Sequence, residues 1–110
     1  MKHSILVRFA YDATHNWPQA EEIAGEEVAY LKHPHRHLFH FKCRKEVTEL
    51  DREIEIILFR KKILNFIDEN YNHDFGHLSC EMIAELILTE FDLNYCEVTE
   101  DGENGAVCEK

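Results

Sequence analysis

The segment from His33 to Phe41, HPHRHLFHF, places four histidines within eight residues. In an extended chain successive side chains alternate between faces, so His33, His35 and His37 point one way and His40 the other. Imidazoles two residues apart on one face lie close enough to share a cation. Three nitrogens around an open fourth position form the arrangement of catalytic zinc sites. Lone strand histidines are commonly surface residues, so His35 and His37 carry such chemistry only if folding brings them a further histidine from elsewhere in the chain.

The elements that must position them read as an α+β order. Ser4 to Ala13 (SILVRFAYDA) is rich in β-branched and aromatic residues and reads as a first strand. Asn16 to Lys32 is a connection containing Pro18, Gly25 and a short helix around Glu26 to Leu31. His35 to Glu46 alternates, with Phe39, Phe41 and Cys43 on the face of His35 and His37, and His40, Lys42 and Arg44 opposite. Arg52 to Ile56 (REIEI) also alternates and reads as a further strand. From Ile57 the period becomes helical through Phe59, Ile63, Phe66 and Ile67, which predicts a helix to about Asn70. Tyr71 to Leu78 reads as a loop. Ser79 is a good N-cap for a second helix that buries Met82, Ile83, Leu86, Ile87 and Phe91. Tyr95 to Thr99 and Ala106 to Cys108 frame a DGENG turn, a C-terminal hairpin. Strands before, between and after two helices predict an antiparallel sheet covered on one face.

Composition bounds the partners. One hundred and ten residues suffice for one domain, 1–110, with its own core. Apolar content of 45% with 31% charged residues is that of a globular chain. Twenty-two acids against twelve Lys and Arg give a net charge of -10, a surface that repels phosphate backbones and argues against direct nucleic-acid binding. No run approaches the ~18 apolar residues of a membrane helix, and MKHSILVRF lacks a signal peptide's features. No membrane partner is expected, and the expected location is cytoplasmic. Cys43, Cys80, Cys96 and Cys108 show no CxxC spacing, which favours reduced thiols over a disulfide framework.

Several segments resemble, in order, the motifs of the 6-pyruvoyl-tetrahydropterin synthase and 6-carboxytetrahydropterin synthase family. FAYDATHNWP resembles that family's F-x-A-A-H-x-L-P pattern, with His15 at the first zinc ligand. His35-Arg36-His37-Leu38-Phe39 resembles H-G-H-x-Y/F, and Arg52-Glu53-Ile54-Glu55-Ile56 resembles the G-x-V-x-D-F strand that leads into a helix. Leu78-Ser79-Cys80-Glu81-Met82-Ile83-Ala84 resembles P-T-S-E-N-x-A. Val98-Thr99-Glu100-Asp101, with Gly105-Ala106-Val107, resembles the V-x-E-T strand and its hairpin.

The resemblance implies a T-fold: a four-stranded antiparallel sheet with two helices on one face, whose subunits join edge to edge into barrels, hence a homo-oligomer. It implies Zn2+ held by His15, His35 and His37, and a pterin or purine-like small molecule whose ring N–H groups are accepted by Glu100. The implied activity is that of a zinc-dependent carbon–oxygen lyase acting on dihydroneopterin triphosphate or a related pterin or deazaguanine precursor, the metal polarising the substrate's side-chain oxygens. The chain departs from the family in three places. The family's proton-transferring cysteine, about four residues before the histidine pair, falls at Leu31, and no cysteine precedes Cys43. The glycine between the paired histidines is Arg36. The family's Asp-His pair falls at Asn72-His73, which leaves His73 with Asp74 as the catalytic candidates and His77 as an alternative. A homologue that binds such a ligand without converting it therefore stands beside the enzyme, and so does a purely structural zinc site. Asp12 and Glu55 are candidates to orient zinc-bound imidazoles, and Trp17 is a candidate cap on the pocket.

Overall fold

The computed structural model describes residues 1–110. Its frame is a pair of long strands, β1 (His3–His15) and β2 (His35–Val47), joined antiparallel along their whole length from His3↔Val47 to His15↔His35. The alternation of each strand sends Val7, Phe9, Tyr11 and Ala13, with Phe39, Phe41 and Cys43, to one face, where all seven are buried. Stacked Phe9 and Phe41 lie directly opposite one another in that ladder, ring centroids 4.8 Å apart. β4 (Tyr95–Glu100) pairs with β2, and β5 (Asn104–Glu109) closes the far edge as a hairpin with β4.

The segment between β1 and β2 holds a short helix, α1 (Ala20–Ala24), and a 3-10 turn over Glu26–Lys32. α2 (Ile56–Tyr71) and α3 (Cys80–Phe91) lie across the buried face of the sheet. α2 contributes Phe59, Ile63 and Ile67 to the core, the i, i+4, i+8 stripe expected of an amphipathic helix. α3 contributes Cys80, Ile83, Ala84, Ile87 and Leu88, and its first turn is capped by the Ser79 hydroxyl, which accepts from Met82 N–H at 3.2 Å. No helix is long and apolar enough to cross a membrane.

Three elements differ from the sequence reading. The sheet has five strands in the order β3-β1-β2-β4-β5, because Asp74–Gly76, inside the expected loop, forms β3 parallel to β1. Three residues are too short to show a period. Tertiary hydrogen bonds define the strand instead: Thr14 N–H to the His73 carbonyl at 3.0 Å and Asn16 N–H to the Gly76 carbonyl at 2.9 Å. Arg52 to Ile56 is not a strand. Its alternating glutamates serve the backbone locally, Glu53 accepting from the N–H groups of Thr48 and Glu49 at 2.8 Å, and Glu55 capping α2 by accepting from Leu58 N–H at 3.0 Å. Met82, expected inside, is 55% exposed, since the stripe of α3 runs through Ile83, Ala84 and Ile87 and leaves Met82 beyond it.

β4 and β5 approach unusually closely at Gly105, which pairs with Thr99. A Cβ built there would lie 1.9 Å from the Val98 carbonyl oxygen, which belongs to backbone and cannot rotate away. Gly105→Ala is therefore expected to force the hairpin apart and to cost at least about 1–3 kcal/mol, as overpacking does. Urea unfolding checks this, and a midpoint equal to wild type would contradict the close approach.

Candidate metal centre

β1 ends and β2 begins at the same strand pair, His15 opposite His35, while His37 lies two residues further along β2, opposite Ala13. All three imidazoles lie on the core face, at the end of the sheet where the helices stop covering it. Their ligand-capable nitrogens lie within 4.8 Å of one another. The ring centroids of His15 lie 4.6 Å from His35 and 5.3 Å from His37. Beneath them the fully buried Phe39 meets the edges of His15 and His37, so the floor of the site is apolar.

Hydrogen bonds at the other ring nitrogen set the direction of each imidazole. His15 Nδ1 lies 3.0 Å from the Leu78 carbonyl oxygen, and His35 Nδ1 lies 2.8 Å from that of His33. A carbonyl oxygen only accepts, so Nδ1 carries the hydrogen in both rings. His37 Nδ1–H donates to Asp101 Oδ2 at 2.7 Å. The second oxygen of Asp101 accepts from Leu38 N–H at 2.9 Å, and these bonds hold its carboxyl below the usual carboxylate range, the Leu38 bond first and the His37 bond second. With Nδ1 engaged on every ring, Nε2 is the atom left for a ligand. His15 Nε2 and His37 Nε2 are buried and have no hydrogen-bond partner. Buried imidazole nitrogens without partners, each oriented by a carbonyl or carboxylate behind it, fit a metal ion of the zinc type.

A cavity of about 470 Å3 opens beside the triad, a size suited to a small organic ligand. His15, His35, Trp17, Leu31, His77, Cys80 and Glu100 are among the residues that line it. Glu100, the last residue of β4, reaches the triad itself, with Oε2 2.8 Å from His15 Nε2 and 3.7 Å from His37 Nε2.

His73 and Asp74 do not line this cavity. The His73 ring stacks on Tyr11 at 4.5 Å, and its Nδ1–H donates to the Asp12 carbonyl at 2.7 Å. The carboxylates of Asp12 and Asp68 each lie 3.4 Å from one of its ring nitrogens. Asp74 accepts from Gly76 N–H at 2.8 Å and from the Thr14 hydroxyl at 3.3 Å, which fixes the turn into β3. His77, the alternative, is on the cavity wall. The candidates for orienting the imidazoles are also placed elsewhere: Asp12 pairs with Arg36 at 2.7 Å, and Glu55 caps α2. That work falls to the carbonyls of Leu78 and His33 and to Asp101. Sequence patterns do not reveal backbone carbonyls, but Asp101 stands beside Glu100 in a turn sequence and was open to the same reasoning.

No family model matches the chain, and no curated protein matches it in sequence. Among solved structures, the chain is similar to the 6-pyruvoyl tetrahydropterin synthase of Caenorhabditis elegans, with a TM-score of 0.71 and 12% identity over 100% of this chain and 96% of that one. The architecture is thus an α+β T-fold, here with a fifth, parallel edge strand.

Cys80 is a cavity residue that spacing did not single out, because it opens α3 far along the chain from the histidines. Burial first, then the negative charges of Glu100 and Glu81, push its thiol up to about 12. The thiolate is the reactive form, so at pH 8 Cys80 stays protonated and is expected to react with iodoacetamide at least roughly a hundredfold more slowly than an unperturbed cysteine. Peptide-resolved mass spectrometry of the folded and urea-unfolded protein measures this, and equal labelling in both states would contradict it.

Proposed function

We propose that the protein is a zinc-dependent enzyme of the tetrahydropterin synthase type, acting on dihydroneopterin triphosphate or a related pterin or deazaguanine precursor. The observation that carries this reading is the gathering of His15, His35 and His37, whose ligand-capable nitrogens lie within 4.8 Å of one another with each Nδ1 already committed, beside a ligand-sized cavity. The shared fold supports it. His15, His35 and His37 would hold the zinc, which when bound would supply Lewis acidity to oxygens on the substrate's side chain.

The remaining roles belong to residues of this chain. Glu100 accepts hydrogen bonds from ring N–H groups, and Trp17 with Leu31 forms apolar wall that keeps water from the ring. His73, flanked by Asp68 and Asp12 and neighboured by Asp74, moves the proton. It lies outside its own chain's cavity and is 46% exposed at its side chain, which suits a role toward a cavity in a neighbouring subunit of a homo-oligomer. Zinc itself remains bound by a single chain.

A second reading has a specific residue behind it. Leu31, at the position where the family resemblance places the proton-transferring cysteine, lines the cavity with a side chain that cannot move a proton. A protein that binds the ring and does not turn it over follows from that substitution.

Elemental analysis is expected to find about one zinc per chain, lost in the His35→Ala, His37→Ala double variant. Incubation of the zinc form with dihydroneopterin triphosphate is expected to consume it; binding without product would select the second reading, and neither binding nor turnover would end both. Asp101→Asn keeps the shape of the residue and removes the charge behind His37. It is expected to lower zinc affinity about 10–100-fold with the fold intact, measured by chelator competition alongside circular dichroism.

A further inference from the structure

We infer that Glu100 is itself a fourth protein donor to the metal when no substrate is present, so that the centre is closed by the chain and opens only when a ligand displaces this carboxylate. The inference rests on the zinc reading above and concerns a residue that reading assigned to the organic ligand alone.

The chemistry of the donors supports it. His15 Nδ1–H is committed to the Leu78 carbonyl, which leaves a lone pair on Nε2. His37 Nδ1–H is committed to Asp101 in the same way. Glu100 Oε2 lies 2.8 Å from the first of these lone pairs and 3.7 Å from the second. Two acceptors at such a distance repel unless a cation or a proton lies between them. A proton on His15 Nε2 would call for the carboxylate along the N–H direction, yet His15 Nε2 has no hydrogen-bond partner, so Oε2 stands off that axis. An off-axis oxygen is what a shared metal requires, because its bonds to nitrogen and oxygen diverge from one centre. Ligand atoms of a tetrahedral zinc with bonds of ~2.0–2.1 Å lie roughly 3.3 Å apart, and the two observed separations straddle that value.

The backbone holds the carboxylate there. Glu100 is the last residue of β4, pairing with Phe39 on β2 and with Asn104 on β5. The next residue, Asp101, is clasped to β2 by its own N–H to the Leu38 carbonyl at 2.8 Å and by the Leu38 N–H returned to its side chain at 2.9 Å. Adjacent residues of one turn therefore serve the same site in two ways, Asp101 behind His37 and Glu100 in front of it. A dication held by three imidazoles and faced by two carboxylates is also balanced in charge. A ligand that takes the fourth position frees the Glu100 carboxylate, which then faces the cavity as an acceptor for ring N–H groups.

The test compares wild type, Glu100→Gln and His35→Ala, using zinc and cobalt(II) as probes. Glu100→Gln is expected to weaken zinc at least about tenfold in chelator competition while saturating near one metal per chain, and to change the visible absorption of bound cobalt. Equal zinc affinity and superimposable cobalt spectra would overturn the inference while leaving the three-histidine site standing. Wild type that binds no metal would overturn both, with His35→Ala serving as the reference for a lost ligand. Should Glu100→Gln fail to fold, the infrared difference spectrum of wild type on zinc addition decides: a shifted carboxylate stretch supports the fourth donor, and changes confined to imidazole bands overturn it.

Discussion

The register of β1 against β2 is the constraint on which the rest of the molecule depends. Thirteen consecutive pairs, ending in His15 opposite His35, set which side chains face the helices and which face away. Because the side-chain period of a strand is two, the residues that continue the core stripe beyond Phe9, Tyr11 and Ala13 on one strand, and beyond Phe41 and Phe39 on the other, are His15, His37 and His35. The candidate metal centre is thus the end of the hydrophobic face itself, where apolar side chains give way to imidazoles as cover by the helices runs out. A slip of one residue would send the aromatic core to the exposed face and separate the histidines together. A register slip would lose core and site together, so the burial of Phe9, Phe41 and Phe39 also holds the triad in place.

Much of this was legible in the sequence because it was written in short periods. The alternation from His35 to Glu46 placed two histidines with Phe39 and Phe41, and the helical spacing of Phe59, Ile63 and Ile67 identified α2 to within a residue at each end. The misreadings share a cause. Arg52 to Ile56 alternates as a strand does, but its glutamates satisfy loop and helix-end N–H groups nearby, and local hydrogen bonding of this kind competes with a ladder. Asp74–Gly76 carries no period and becomes a strand only because β1 offers an unpaired edge. His15 belonged to the triad only through a family resemblance, since twenty residues and no shared spacing separate it from His35.

The turn after β4 shows how closely a site can be tied to its scaffold. Asp101 adopts positive φ, a conformation that a short polar side chain tolerates, and this lets the chain reverse into Gly102 while the carboxylate folds back onto His37 and Leu38. The same bonds that stabilise the reversal orient an imidazole, so a change made for the sake of the turn is felt at the metal-facing nitrogen. Gly105, across the hairpin, allows β5 to lie against β4 close enough to form the cavity wall beside Glu100. Neither residue faces the Nε2 side of the triad, yet both flank Glu100 in the hairpin.

Proton transfer is where the cavity's composition presses hardest on mechanism. The one thiol on its wall, Cys80, is held protonated by burial and by the carboxylates around it, so it is poorly suited to take a proton from carbon near neutral pH. Leu31 can neither give nor take one. Of the cavity's own side chains, His15, His35 and Glu100 belong to the candidate metal centre, which leaves Glu81 on the wall and two imidazoles, His77 on the wall and His73 outside it. The two differ in support. No side-chain partner orients His77, whereas His73 is stacked on Tyr11, donates to the Asp12 carbonyl and has a carboxylate 3.4 Å from each ring nitrogen. An imidazole fixed in that manner is better prepared to give or take a proton than an unpartnered loop residue, and it stands outside its own chain's cavity.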